Sequence, residues 1–112
     1  MAGSDEKILR YLGLAKRGRM LISGINTCTY AMSRGKVSLV ILAEDISENS
    51  KKKILKEIRK NHTDFIRYGK KSDLSHAVGQ EERSVFAITD DQFAKTILKE
   101  IMREIDRRRV CE

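Results

Sequence analysis

Proline and tryptophan are absent from the sequence, and aromatic residues make up only 5% of it. The absence of proline excludes a Pro-rich linker and a collagen-like chain. Long apolar runs are also missing, since no stretch approaches the roughly 18 residues that a membrane span requires. The segment from Met1 to Glu6 lacks the basic-then-apolar order of a secretory signal. We therefore expect a cytoplasmic protein that has no membrane partner.

Cysteine is scarce, and Cys28 and Cys111 are far apart in the chain. Free thiols in a reducing compartment are favoured over a single disulfide. His62 and His76 show no ligand spacing with either cysteine, so we expect no bound metal. A dinucleotide-binding fingerprint, a P-loop and a nucleophile elbow are also missing. The sequence therefore predicts a protein that is not an enzyme and that uses no cofactor.

Charge is the first indication of function. The chain carries 23 Lys and Arg against 16 Asp and Glu, which gives a net charge of +7. Residues 1–36 hold seven basic and two acidic side chains, whereas residues 76–112 hold seven and eight. A basic excess concentrated in one part of a domain indicates a positive surface on one side, which suits a polyanion such as nucleic acid. A solvated basic face without a specific partner is the alternative interpretation.

Helical and strand patterns alternate along the 112 residues, a length that fits one domain over residues 1–112. The predicted strands cover residues 19–22, 37–42, 65–68 and 84–88. The predicted N-caps of the longer helices are Ser4, Ser23, Ser47 and Thr89. Helices between strands favour an α/β fold, a three-layer α/β/α sandwich with a small mixed sheet of about four strands. The basic end, from about residue 107 to 112, is predicted to be a frayed tail.

The segment Ser23-Gly24-Ile25-Asn26-Thr27 is predicted to form the first turn of a helix after an edge strand. Free backbone N–H groups and the positive end of the helix dipole can bind RNA phosphate at such a turn. The Asn26 amide can donate to and accept from a base edge. Gly24 allows the backbone to approach a ligand closely. An ordinary helix start is the alternative interpretation of this segment.

A series of short motifs gives a more specific indication. They are Leu12-Gly13-Leu14-Ala15-Lys16-Arg17-Gly18, Ser23-Gly24, the stretch from Leu39 to Asp45, Ser75-His76-Ala77-Val78-Gly79 and Glu81-Glu82-Arg83. In this order and spacing they resemble the bacterial branch of the ribosomal protein L-seven-Ae family, whose members bind kink-turn RNA. The resemblance covers about residues 5–100. It implies an α/β/α sandwich, in agreement with the pattern of helices and strands.

The resemblance also implies which residues contact RNA. The family binds beside tandem sheared G·A pairs with a Gly-x-Asn-Glu helix start and with the loop before the last strand. Gly24 and Asn26 match this Gly and Asn, while Thr27 stands at the Glu position and Tyr30 where the family often has a phosphate-binding Lys. The loop positions that match are Gly79, Glu82, Arg83 and Ser84, together with Val78. This loop is charged here, whereas the family usually has an apolar one.

Basic residues outside these motifs are candidates for phosphate contacts. Lys16, Arg17 and Arg19 are expected beside the RNA-reading helix, with solvated helix-end charges as the alternative. Arg34 and Lys36 lie at the other end of that helix, and the run Lys51–Lys53 is expected mainly on a solvated face.

The sequence and the resemblance together predict a non-catalytic RNA-binding protein that recognises a kink-turn or internal-loop element of structured RNA. The expected partner is structured RNA, ribosomal RNA above all. Association with the ribosome and contact with ribosomal proteins are also expected. A protein-interaction or adaptor domain on the same fold is the alternative function.

Overall fold

Helices and strands alternate along the chain, as the apolar periodicity predicts. The computed structural model describes residues 3–111, and the side chains of residues 5–108. Over this range the elements are α1 (Gly3–Arg17), β1 (Leu21–Ser23), α2 (Ile25–Ser33), β2 (Leu39–Leu42), α3 (Glu48–Asn61), β3 (Phe65–Arg67), α4 (Lys71–Ala77), β4 (Val85–Ile88) and α5 (Asp91–Cys111). Among these helices, none combines the length and apolar character that crossing a bilayer requires.

The four strands form one mixed sheet in the order β1-β4-β2-β3. β4 is antiparallel to both β1 and β2, with Leu21 opposite Ile88 and Ile41 opposite Phe86. β2 and β3 are parallel. Every residue of β2 and β4 is buried, as expected for central strands that are covered on both faces. The predicted three-layer α/β/α sandwich with a mixed sheet of four strands is confirmed.

Two apolar clusters fill the space on the two sides of the sheet, because alternate side chains of a strand point to opposite faces. Phe86 and Ile88 of β4 pack in the cluster that includes residues of α1, α4 and α5. Val85 and Ala87 pack in the cluster that includes residues of α2 and α3. The helix that carries the candidate RNA-binding residues therefore shares one face of the sheet with α3.

Cys28 lies in the second of these clusters as a buried free thiol. Burial raises the pKa of this thiol to about 12, since removal from water disfavours the thiolate. Cys28 is therefore neutral at physiological pH and serves as a small core residue. The side chain of Cys111, the other cysteine of the sequence, lies outside the described residues.

Three of the four predicted helix caps are wrong. α1 begins at Gly3, so Ser4 lies inside its first turn. Ser23 ends β1, and the N-cap of α2 is Gly24. The carboxylate of Asp90, not the hydroxyl of Thr89, caps α5, because Asp90 Oδ2 accepts a hydrogen bond from the Phe93 amide at 2.8 Å.

The fourth cap is confirmed, since the Ser47 hydroxyl accepts a hydrogen bond from the Ser50 amide at 3.2 Å. Thr89 does not cap α5, and its backbone amide makes a tertiary contact instead. Its amide donates to the Met20 carbonyl at 2.9 Å, which holds the end of β4 beside the turn that precedes β1. Only the folded chain brings these two residues together.

α5 continues to Cys111, and the frayed tail expected from about residue 107 stays a prediction. Glu104, whose side chain is 3% exposed, pairs with Arg107 at 2.7 Å and with Arg108 at 3.1 Å. Arg108 also pairs with Asp5 at 2.9 Å, and the buried Tyr68 hydroxyl donates to the same carboxylate. Arg107 and Arg108 are thus held by carboxylates on α1 and α5. The side chain of Arg109 lies outside the described residues.

Candidate nucleic-acid interface

The start of α2 is fixed by the backbone of the neighbouring strand. The Gly24 amide donates to the Val85 carbonyl at 2.9 Å, and the Cys28 amide closes the first helical turn on the Gly24 carbonyl at 3.0 Å. Within the described part of the chain, no side chain caps this helix. The amides of Ile25, Asn26 and Thr27 belong to the first turn, where backbone N–H groups have no intrahelical acceptor. They are therefore available to an anionic ligand.

Two features favour glycine at position 24. Its φ angle is +95°, a region that L-residues rarely adopt. A Cβ atom built on Gly24 would also lie only 3.3 Å from Nη1 of Arg83. The guanidinium of Arg83 thus lies directly against the backbone at the helix start. The glycine gives a cationic group close access to the exposed amides of α2.

The loop between α4 and β4 is held in place by one buried side chain. Ser75, which is 3% exposed, donates its hydroxyl to the Arg83 carbonyl at 3.0 Å and accepts from the Arg83 amide at 2.9 Å. Glu82, the preceding residue, has a positive φ of 50°. The tight turn and the pair of hydrogen bonds direct Arg83 towards Gly24.

These contacts place the helix start and the loop around one cavity of about 350 Å³. Six of the ten predicted site residues line it: Gly24, Asn26, Thr27, Glu82, Arg83 and Ser84. The side chains of Asn26, Thr27, Glu82 and Arg83 are exposed. The cavity therefore presents backbone N–H groups, an amide, hydroxyls, a carboxylate and a guanidinium to solvent. This set can bind phosphate and also hydrogen-bond to base edges.

Two residues of this site were not among the sequence predictions for it. Ser50, at the start of α3, lines the same cavity, and Ser75 positions the loop from α4. Both act through tertiary contacts, because α3 packs beside α2 and Ser75 bonds to a residue eight positions further along the chain. In the sequence, the only indication that Ser75 belongs to the site is its position in the motif Ser75-His76-Ala77-Val78-Gly79.

Lys16 and Arg17 line a second cavity, separate from the one at the start of α2. They lie with Gly79, Arg10 and His76 in a groove of about 420 Å³ between α1 and α4. The two helices approach closely here, since a Cβ on Gly13 would lie 3.0 Å from the Ala77 carbonyl oxygen. Gly79 belongs to the loop that also borders the first cavity. The structure therefore divides nine of the ten predicted residues between two cavities that border this loop.

Arg19 lines neither of these two cavities. It lies in the turn between α1 and β1, with a φ of 61°, whereas Gly24 follows β1. Because β1 separates the two residues, Arg19 lies at the opposite end of the strand from the start of α2. A phosphate contact of Arg19 stays a prediction.

The exposed residues of α2 and α3 extend the surface around the first cavity. Lys51 is paired with Glu48 at 3.9 Å, while Lys52, Lys53 and Lys56 are exposed on α3. Among the described residues, no group of three or more His, Cys, Asp or Glu side chains is arranged to hold a metal ion. The surface presents hydrogen-bonding and positively charged side chains.

Comparison with known proteins identifies the family. The sequence profile of the Ribosomal protein L7Ae/L30e/S12e/Gadd45 family matches residues 6–99. The chain belongs to this family. It is 31% identical to the RNA-binding protein YlxQ of Bacillus subtilis (strain 168) over 87 aligned residues. This alignment covers 78% of this chain and 87% of the relative. It is 30% identical to the RNA-binding protein YlxQ of Enterococcus faecium over 93 aligned residues, which make up 83% of this chain and 89% of the relative.

Solved structures agree with the fold. A Bacillus halodurans C protein described as having unknown function matches with a TM-score of 0.79 and 34% identity, covering 85% of this chain and 96% of that one. The 15.5 kD RNA binding protein of Giardia lamblia matches with a TM-score of 0.69 over 92% of this chain and 88% of that one. At 18% identity, this second likeness shows the fold alone.

Proposed function

We propose that this protein is a non-catalytic RNA-binding protein and that the cavity between α2 and the loop before β4 reads a kinked or internal-loop element of structured RNA. The observation that carries the proposal is the position of Arg83 against Gly24, which combines a guanidinium with the free amides of a helix start. Membership of the family and the names of the two bacterial relatives support an RNA partner.

Different groups of the cavity would supply affinity and selectivity. Phosphates would bind the amides of the first turn and the Arg83 guanidinium, because both present N–H donors to an anion. Asn26 and Thr27 would hydrogen-bond to base edges, which a regular A-form duplex hides in its deep major groove. An RNA with sheared pairs or unpaired nucleotides exposes those edges. Selectivity for such an element over plain duplex therefore follows from the exposed polar side chains.

Kink-turn recognition is the finer part of the proposal. Gly24 and Asn26 match the family motif, and the loop that matches lies beside them around the same cavity. Thr27 offers a hydroxyl acceptor where the family has a carboxylate, so we expect weaker discrimination than a full Gly-x-Asn-Glu member achieves. Ribosome association, ribosomal protein partners and cytoplasmic localisation stay predictions.

Substitution of Asn26 tests base reading directly. Asn26→Ala should cost about 1–3 kcal/mol on a kink-turn RNA, the usual worth of a good base contact, and little on a duplex of equal length. The measurement is a binding titration with both RNAs. Gln92→Ala is the matched control, because it removes an exposed amide from α5, which lies on the opposite face of the sheet.

The complementary titration uses wild-type protein and a kink-turn RNA whose tandem G·A pairs are replaced by Watson–Crick pairs. A selective loss of binding would support kink recognition. Equal affinity for both RNAs would reject it and leave a generic basic binder. A protein that purifies free of nucleic acid and with a stable protein partner would favour the adaptor function instead.

A further inference from the structure

Tyr30 is a large aromatic side chain that the core does not use. It is 66% exposed, more than any other large hydrophobic residue among those described. The other two tyrosines are packed: Tyr11 meets Phe93 edge-on with ring centroids 6.0 Å apart, and Tyr68 is buried. At this exposure the ring contributes little to the apolar core. Its π-face is available to a planar partner.

A cation lies beside this ring. The Arg34 guanidinium carbon is 6.0 Å from the centroid of Tyr30, one helical turn further along. This distance is within the range of cation–π attraction. The two exposed side chains therefore form a small platform that combines an aromatic face with a positive charge. Nucleotides match this combination, since each has a planar base and a negative phosphate.

The Tyr30–Arg34 platform lies on the same side of α2 as the cavity residues. Residues three and four positions apart are neighbours on a helix surface, which places Tyr30 next to Thr27 and Asn26. Both of these residues line the cavity. One helical turn advances about 5.4 Å along the axis. A nucleotide adjacent to the one in the cavity can therefore reach the ring.

We propose that Tyr30 stacks on an unpaired nucleobase of the bound RNA and that Arg34 contacts the phosphate of the same nucleotide. This inference rests on the proposed RNA-binding function and adds a base-stacking site to it. Tyr30 stands where the family often has a lysine, so a contact to phosphate is replaced here by a contact to a base. A stacking site gives preference for RNA with unpaired nucleotides, because a paired base is already stacked within its duplex.

The first test compares a variant that removes the aromatic ring of Tyr30 with one that keeps it. The probe is a kink-turn RNA with unpaired bulge nucleotides, together with versions in which each of these nucleotides in turn is abasic. Tyr30→Ala should weaken binding to the intact RNA about 10- to 100-fold, in line with the worth of one base–aromatic stack. Tyr30→Phe, which keeps the ring, should bind like the wild type. One abasic RNA should bind both wild type and Tyr30→Ala equally.

The second test uses fluorescence, because the chain contains no tryptophan. Tyr30→Trp places a single indole at the proposed stacking site, and we expect the same RNA to quench its emission. Phe65→Trp is the matched control: Phe65 is 46% exposed and belongs to β3, the edge strand furthest from β1. Its emission should change little on binding.

Failure of this inference differs from failure of the proposed function. If wild type binds the kink-turn RNA and Asn26→Ala weakens binding, but Tyr30→Ala does not, the stacking site is wrong while the cavity proposal stands. Equal losses for Tyr30→Phe and Tyr30→Ala would also overturn stacking, since the hydroxyl rather than the ring would then be the contact. If wild type binds no structured RNA, both proposals fail together.

Discussion

At the scale of single residues, Gly24 connects the backbone of the fold to the proposed binding site. Its positive φ places the start of α2 directly after β1, and its missing side chain leaves room for the Arg83 guanidinium. Sequence comparison with the family identifies this glycine, but it does not give the physical reason. The reason is the close approach of a residue that lies far away in the chain.

Gly24→Ala should therefore reduce both stability and RNA affinity. The alanine would hold a strained φ, which costs of the order of 1–3 kcal/mol, and its Cβ would displace the guanidinium of Arg83. Urea unfolding measures the first effect and an RNA titration measures the second.

Gly35→Ala is the control for this prediction. Gly35 also has a positive φ, of 67°, but nothing lies within 4 Å of the Cβ that an alanine would add. We expect a similar loss of stability without the loss of affinity. Equal losses of affinity in the two variants would contradict a specific role for the approach of Arg83 to Gly24.

At the scale of secondary-structure elements, α4 acts as the support of the loop that carries Arg83. The two hydrogen bonds of Ser75 hold the backbone of Arg83 on both its amide and its carbonyl. The hydroxyl thereby satisfies both backbone groups of Arg83, as buried polar groups require. The conformation of this loop therefore depends on α4, although no residue of α4 lines the first cavity. The helix acts on the cavity through the hydrogen bonds between Ser75 and Arg83.

Ser75→Ala should cost about 1–3 kcal/mol of stability, because it leaves two backbone groups without their partner. It should also weaken RNA binding, since Arg83 is no longer held against α2. Unfolding titrations and RNA titrations give the two quantities. Ser72→Ala, at an exposed position of the same helix, should change neither. A Ser75→Ala variant with wild-type affinity would show that the loop is ordered by other contacts.

The elements themselves follow well from the sequence, and their ends follow less well. The apolar runs at 37–42 and 84–88 contain the central strands β2 and β4, since burial on both faces leaves a clear pattern. Thr89 and Gln92 match a capping box, which predicts the N-cap of α5 at Thr89, whereas the carboxylate of Asp90 accepts the hydrogen bond from the Phe93 amide. Local patterns could not decide between neighbouring cap residues.

For the candidate site, too, the sequence predicts local segments but not how the folded chain arranges them. Motif matching found both segments that border the cavity, but it could not show that Lys16 and Arg17 lie in a separate groove. The position of a charge depends on helix packing, which no short motif contains. The ion pairs of Arg107 and Arg108 with Glu104 were missed for the same reason, although Glu104 stands three and four residues before them.

At the scale of the whole molecule, the distribution of charge determines where a polyanion can bind. Residues 1–36 have seven basic and two acidic side chains, and they supply both α2 and one side of the groove between α1 and α4. At the end of α5, Arg107 and Arg108 are neutralised by ion pairs. The two cavities that border the loop before β4 therefore lie on the part of the surface where phosphate contacts are expected.

The dependence of RNA affinity on salt tests whether this basic surface binds phosphates. If about five phosphates are neutralised, log K should fall with log salt at a slope of roughly −3.5 to −4.5. Charge reversal at Lys16 and Arg17 should make the slope shallower and weaken all RNAs alike, because phosphate contacts carry no sequence information. Reversal of the exposed Lys95 and Lys99 on α5, which line neither of these two cavities, should leave the slope unchanged. A slope near zero, or no binding to any structured RNA at low salt, would contradict the account.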